Sequence, residues 1–437
     1  MLYYSTNGQS ASVSLKEAVI RGLAPDGGLF MPVSLPEIPA SYFNSLNNKT
    51  LREISFYVAS AFLEDDIPRT VLSDIVDDAL SFPIPLKEVE QGVSSLELYH
   101  GPTMAFKDVG ARFMSRLMSY LYRNENKSLN VIVATSGDTG SAVASGFYDV
   151  EGINVFVLFP KSKVSPLQQK QITTWGGNIY PVEVNGSFDD CQKLAKQMLG
   201  DRELNGLLSL TSANSINIAR LIPQSFYYFH AFARLENNTR NVVFSVPSGN
   251  LGNLTAGLMA RAVGLPVHKF IASANINDVF PKFMETGQYK PFPSKQTISN
   301  AMDVGDPSNF VRINELMGSS LSNFRESIVS FSFSDQETSD AIQRVHAERD
   351  YIMDPHGAVA YLGLKKFLRE NGPAVNGIFL ETAHPAKFPE TMNRIIDGFD
   401  DLPPQLQGVL NREEKFSSIG KDTPELKEYI MRVNQVS

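Results

Sequence analysis

One pattern occurs twice in this chain and constrains its fold more than any other feature: a β-branched run, a glycine turn, a helical stretch and a second strand. Residues 130–134 lead into Thr135-Ser136-Gly137-Asp138-Thr139-Gly140, then an alanine-bearing stretch at 141–148 and a strand at 154–159. Residues 241–246 lead into Pro247-Ser248-Gly249-Asn250-Leu251-Gly252-Asn253, then a helical run at 254–263 and a strand at 269–274. Residues 377–381 form one more apolar strand, ending at Thr382-Ala383-His384-Pro385. Strands that alternate with helices predict parallel sheets covered on both faces. The fold class is therefore α/β, and two such units predict two lobes with open, mostly parallel, twisted sheets. Ligands of these sheets sit beyond the carboxyl ends of the strands, so the residues just after each strand are the place to look for chemistry.

The length, 437 residues, allows two or three domains at roughly 150 residues each. Residues 1–90, broken by turns such as Pro25-Asp26-Gly27-Gly28 and Pro83-Ile84-Pro85, read as a small N-terminal unit, mostly helical or irregular. Residues 91–235 read as a smaller α/β lobe and 236–437 as a larger one, with the polar connection at 236–241 between them. Residues 280–335 show few clear periods and are assigned no element. With 39 basic and 47 acidic side chains the net charge is −8, which argues against a nucleic-acid binder. A local cationic pocket for a small anion stays compatible with it.

Several chemistries are disfavoured. The lone cysteine, Cys191, excludes a disulfide framework and a cysteine zinc site. His100, His230, His268, His346, His356 and His384 form no tight ligand pair, so no metal is expected. No G-x-S-x-G elbow appears. Residues 1–8 carry no basic-then-apolar run, and no apolar stretch approaches the ~18 residues of a membrane helix. A cytoplasmic enzyme without membrane attachment is the expectation.

Three features carry positive chemistry. In the loop of Gly249, Asn250, Leu251, Gly252 and Asn253, small residues leave backbone N–H groups free to converge on a phosphate at a helix N-terminus. The same loop also reads as a tight turn whose glycines serve the backbone alone. Its spacing fits neither a dinucleotide fingerprint nor a P-loop. The loop of Ser136, Asp138 and Thr139 sits in the same place after its strand and reads either as a ligand loop or as N-capping. Lys107 follows the apolar trio Met104-Ala105-Phe106 and opens a helical run marked by Val109, Phe113, Leu117 and Tyr120. A lysine there faces the positive end of the helix dipole in apolar surroundings, and both effects depress its pKa, as a Schiff-base lysine requires. A solvated lysine paired with Asp108 is the other reading. Asn214, Ser215 and Arg220, and separately Lys161 and Lys163, set cations beside hydroxyls or amides, as an anionic substrate group needs. Capping and surface charge would give the same pattern.

Taken in order, HGPTMAFKD at 100–108, ATSGDTG at 134–140, NSINIAR at 214–220, PSGNLGN at 247–253 and ETAHPAKF at 381–388 resemble the threonine synthases, in their long-chain bacterial and fungal form. The resemblance starts at Tyr3-Tyr4-Ser5-Thr6 and runs nearly to the end of the chain. It implies a fold-type II pyridoxal-phosphate enzyme, similar to the tryptophan synthase β subunit, with cofactor and substrate between two lobes. It implies a carbon–oxygen lyase of threonine biosynthesis, converting O-phospho-L-homoserine and water into L-threonine and phosphate by γ-elimination and β-addition of water. By the same resemblance Lys107 carries pyridoxal 5'-phosphate as a Schiff base and then acts as general base. Gly249, Asn250, Leu251, Gly252 and Asn253 hold the cofactor phosphate, Thr382 meets the pyridine nitrogen, and Asp138 lies near the ring hydroxyl. Ser136, Thr139, Asn214, Ser215 and Arg220 bind substrate, with Lys163 a weaker candidate for its phosphate. Leu251 stands where the family more often has Phe. The implied assembly is a monomer or a homodimer, with no nucleic-acid or membrane partner. A dehydratase or phospho-amino-acid lyase of the same fold, and a non-catalytic anion-binding protein, are the rival readings.

Overall fold

The computed structural model describes residues 1–162, 164–235 and 241–435. The expected connection at 236–241 lies, apart from Asn241, outside the described residues. Among them the chain forms two compact units, and neither is a continuous stretch.

The first unit comprises Ser34–Phe106 and Leu221–Asp401, with Met1. Its six-stranded sheet runs in the order Ile328–Ser332, Lys269–Ala274, Asn241–Pro247, Val375–Glu381, Val93–Glu97, Leu86–Glu90. The first five strands are mutually parallel, and the edge strand Leu86–Glu90 runs antiparallel to its neighbour. Val243, Phe244, Ile378 and Phe379 are buried without alternation, as strands covered on both faces require. The helices Leu51–Leu63 and Arg69–Ala79 belong here, the first opened by a Thr50–Glu53 capping box.

The second unit comprises Leu2–Val33, Lys107–Arg220 and Leu402–Ser437. Its five-stranded parallel sheet has the order Ser417–Ile419, Ile179–Val184, Ile153–Pro160, Leu129–Ala134, Ser209–Ser212. All of Leu129–Ala134 is buried. The helices Lys107–Tyr122 and Asp138–Phe147 pack so closely that a Cβ on Gly146 would lie 3.1 Å from the Ala111 carbonyl carbon, and Ser115 Oγ donates to the Gly146 carbonyl at 2.6 Å. A small antiparallel sheet of Leu2–Ser5, Val13–Ser14 and Phe30–Pro32 completes this unit.

The α/β class with parallel sheets is therefore what the strand–turn–helix pattern predicts. The division read at residues 90 and 235 differs from the one the contacts give. The contacts place Leu2–Val33 with the second unit and Ser34–Phe106 with the first. Val19 O accepts Asn217 Nδ2 at 2.9 Å in the second unit, and Phe43 stacks on Phe229 in the first, ring centroids 6.1 Å apart. The unassigned stretch 280–335 is an aromatic-cored extension of the first unit: Phe283 packs edge-on to Phe324 at 5.0 Å, and Tyr289 stacks on Phe310 at 3.8 Å.

One core group reports on the first unit. His230, on the helix Phe226–Ala233, is 8% exposed, and its Nε2 lies 2.9 Å from the Ile84 carbonyl oxygen. Burial, helped by Arg234, lowers its pKa from 6.5 to about 4. The unfolded imidazole binds its proton near 6.5 and the folded one only near 4, so this contribution to stability is intact above 6.5 and lost as pH falls through 4. Urea midpoints should fall across that window in the native chain and fall less in His230→Phe.

Candidate active site

In the second unit the candidate residues gather at the carboxyl ends of neighbouring parallel strands. Leu129–Ala134 exits into the Ser136–Thr139 turn, and the adjacent Ser209–Ser212 exits into Asn214 and Ser215. Thr135 builds the first loop: its Oγ1 accepts the backbone N–H of Gly137 at 2.9 Å and of Gly140 at 2.8 Å. Gly137 has φ +141°, and a Cβ there would lie 2.5 Å from the side chain of Gln168. Gln168 uses that closeness. It is 1% exposed and donates from Nε2 to Asp138 Oδ1 at 2.8 Å. Asp138 Oδ2 in turn lies 3.9 Å from Lys107 Nζ, whose side chain is 15% exposed. Lys107 is the first residue of the helix Lys107–Tyr122, as expected. Ser136 and Thr139 are partly exposed beside this carboxylate–lysine pair.

Two expected substrate residues are already engaged. Asn214 pairs both ways with the Ala134 backbone, accepting its N–H at 3.1 Å and donating to its carbonyl at 2.8 Å. Arg220 is 4% exposed, donates from Nη1 to the Ala213 carbonyl at 2.6 Å, and stands where a Cβ on Gly110 would lie 3.0 Å from its Nε. Burial lowers its pKa to about 10, against the opposing field of the fully buried Asp108. Lys163 lies outside the described residues.

In the first unit two neighbouring strands carry the other candidates. Asn241–Pro247 exits into the loop of Gly249, Asn250 and Leu251, which ends at the N-terminus of the helix Gly252–Ala262. Leu251 holds φ +60°, so the chain turns left-handed just before the helix and aims the first backbone N–H groups along one direction. Asn253 Nδ2 is buried with no hydrogen-bond partner among the described residues, while its Oδ1 takes the hydroxyls of Tyr227 at 2.6 Å and Tyr228 at 2.7 Å. The adjacent strand Val375–Glu381 exits into Thr382, 6% exposed. Here Phe106 donates its N–H to the Thr382 carbonyl at 2.9 Å, Ala105 pairs antiparallel with Ala383, and His384 donates to the Met104 carbonyl at 3.0 Å.

The profile of the pyridoxal-phosphate-dependent enzymes matches residues 87–377, and those of the threonine synthase N terminus and C-terminal region match 2–80 and 357–430. Threonine synthase of Escherichia coli is 44% identical over 93% of this chain and 94% of its own length. The crystal structure of threonine synthase from Escherichia coli superposes with a TM-score of 0.92 at 41% identity, covering 99% of this chain and 100% of that one. The pyridoxal-phosphate-bound threonine synthase of Brucella melitensis gives 0.93 at 33% identity, with 100% of both chains covered. The chain belongs to the threonine synthase family.

Its cofactor is accordingly pyridoxal 5'-phosphate, and the residues present fit that group. A helix N-terminus with an orphaned buried amide beside it is a donor set for a phosphate. The structure brings further residues to the candidate site that sequence reading missed. Thr135 and Gln168 shape and hold the Asp138 turn. The Ser-x-x-Gln of Ser165 and Gln168 was legible only as a cap, which it also is, Ser165 Oγ accepting the Gln168 N–H at 3.3 Å. Lys387, fully buried, donates to the Thr103 carbonyl at 2.8 Å and steadies the approach to Lys107. No spacing rule signals such long-range contacts.

Arg220 is a buried cation whose field favours the fully buried Asp108 carboxylate. Arg220→Met is expected to cost about 3 kcal/mol in chemical denaturation. A variant with native stability and lost turnover would instead place Arg220 wholly with the substrate.

Proposed function

We propose that this chain converts O-phospho-L-homoserine and water into L-threonine and phosphate, with Lys107 as its proton-transfer residue. The observation that carries the reading is Lys107 itself: the first residue of a helix, largely buried, 3.9 Å from the Asp138 carboxylate, in a member of a pyridoxal-phosphate family. The backbone N–H groups of Gly249, Asn250, Leu251, Gly252 and Asn253, with the Asn253 amide, would hold the cofactor phosphate. Thr382 would meet the pyridine nitrogen through a neutral hydroxyl, and Asp138 would stand near the ring hydroxyl. The cofactor, when bound, supplies the electron sink for negative charge developing on the substrate carbons.

The rest is the work of this chain. Lys107 Nζ takes the proton from the substrate α-carbon and serves as the proton carrier for the later steps at its β- and γ-carbons. Asp138, oriented by Gln168, keeps that amine in place. Ser136, Thr139 and Ser215 offer hydroxyls to the substrate. Asn214 and Arg220 are assigned to the substrate as well, each by exchanging a backbone partner for it. Lys163 is proposed as an additional cation for the substrate phosphate. The assembly proposed is a monomer or homodimer in the cytoplasm. No helix among the described residues is long and apolar enough to cross a membrane.

Incubation with O-phosphohomoserine should release threonine and phosphate in equal amounts; 2-oxobutyrate without threonine would reject the synthase reading in favour of a lyase. Lys107→Ala should lower turnover on the order of 10³-fold or more. The purified protein should be yellow, and borohydride should fix the cofactor on Lys107. A colourless protein that takes up no added pyridoxal phosphate rejects the enzyme reading altogether.

The loop assignment has its own check. Gly252→Asp puts a negative side chain beside the phosphate donors, so it should bind pyridoxal phosphate much more weakly in equilibrium dialysis. Native occupancy in that variant removes the loop from the cofactor site.

A further inference from the structure

A buried acid–imidazole chain in the first unit takes no part in the chemistry above. Glu381, the last residue of its strand, is fully buried, and its Oε2 accepts the Asp354 N–H at 3.2 Å. Burial, with the negative Asp354 beside it, raises its carboxyl well above the usual range. Asp354, also fully buried, caps the helix Pro355–Asn371: Oδ1 accepts the His356 N–H at 2.8 Å and Oδ2 the Gly357 N–H at 3.2 Å. That cap is complete without the imidazole. The ring, on a residue 2% exposed, does something else. Its Nδ1 lies 2.6 Å from Asp354 Oδ1, and its Nε2 accepts the Ala301 N–H at 3.1 Å. An acceptor on one side and a backbone donor on the other leave only the neutral tautomer protonated at Nδ1. The same ring packs on Phe388 at 5.2 Å, in the segment that follows Thr382.

Ala301 belongs to the short turn Asn300–Met302, and this turn is the seat of the glycine loop. A Cβ on Gly249 would lie 2.8 Å from Met302 Cα and 3.0 Å from the Ala301 carbonyl oxygen, so backbone rests on backbone. Beyond the turn, Asp303 accepts the Thr297 hydroxyl at 2.6 Å and N–H at 2.9 Å, with Asn275 at 3.0 Å and Asn277 at 3.1 Å. Asn309 Nδ2 donates to the Asn250 carbonyl at 3.1 Å. Part of the stretch 280–335, without a readable period, thus forms the outer wall of the loop. His356 is its tie to the helix Pro355–Asn371.

We propose that His356 is a positioning residue for the cofactor-phosphate loop: by accepting the Ala301 N–H it fixes the Asn300–Met302 turn against which Gly249 rests, and so holds the loop's donors at the spacing a phosphate needs. This inference rests on the reading of residues 249–253 as the phosphate loop. It assigns His356 to cofactor affinity rather than to proton transfer, and it links the turn that seats the loop to Glu381 through one buried chain of hydrogen bonds.

The test titrates apoprotein with pyridoxal phosphate and reads Kd by absorbance, with the apoprotein Tm and the substrate KM alongside. His356→Leu should weaken binding about tenfold, the scale of one net hydrogen bond. Its KM at saturating cofactor should stay native. His356→Gln, which can both accept from Ala301 and donate to Asp354, should recover most of the affinity. Ala301→Pro deletes the donor at the other end of the same bond and should match His356→Leu; it carries the test if the leucine variant does not fold. His230→Leu, which breaks the buried contact to the Ile84 carbonyl, should lower Tm and leave Kd unchanged. Native Kd in His356→Leu, or in Ala301→Pro where the leucine variant does not fold, overturns the proposal, as does an equal loss in His230→Leu. Native protein that binds no pyridoxal phosphate overturns the underlying reading of the loop, and this inference with it.

Discussion

A short backbone zipper in the first unit is the constraint that fixes the strand exit at Thr382. Met104, Ala105 and Phe106 pair with Thr382, Ala383 and His384 through two backbone hydrogen bonds and one antiparallel bridge. Leu98 extends it by donating to the Glu381 carbonyl at 2.9 Å. Backbone pairing of this kind fixes two segments within a few tenths of an ångström, because register leaves no intermediate positions. Lys107 is the next residue along the chain. The segment that delivers the lysine is thus tied to the strand exit that carries Thr382, although the two are distant in sequence. Met104 adopts φ +56° to make the approach, a conformation costly for a residue with a side chain. It is retained where the surrounding structure over-determines it.

Around these anchors the protein commits buried polar groups to backbone partners. Asn214 bridges the Ala134 peptide, Arg220 the Ala213 carbonyl, Lys387 the Thr103 carbonyl and His356 the Ala301 N–H. Each satisfies a backbone group through a side chain. A buried polar group left unmatched costs more than a matched one contributes. Such contacts therefore define one arrangement of the loops more sharply than they add stability. The exception is informative: the Asn253 amide nitrogen is buried and unmatched among the described residues, at the N-terminus of a helix. A buried donor at a helix N-terminus is the arrangement that favours an anion.

Legibility in the sequence followed the range of the interaction. The strand–glycine–helix units, the helix starting at Lys107 and the parallel sheets could be read because apolar periodicity and turn residues act over a few neighbours. The loop after Val246 was readable for the same reason. How residues 1–90 pack could not be read locally: helices such as Leu51–Leu63 look self-sufficient, while the surface they cover, including the helix Phe226–Ala233, is far along the chain. The stretch 280–335 had no period to read, since its aromatic contacts among Phe280, Phe283, Tyr289, Phe310 and Phe324 join short helices and loops. Gln168 and His356 gave no signal of their position beside Asp138 and beneath Gly249.

By itself the sequence determined the α/β class, the two glycine loops at strand ends, and a lysine placed at the positive end of a helix dipole. These follow from spacing and residue chemistry within single elements. Only the tertiary structure decided which exits lie side by side, which polar groups are spent on backbone and which stay available. Those outcomes depend on strand order and on contacts across tens to hundreds of residues, where the entropy of closing the chain is offset collectively by burial and not by any local pattern.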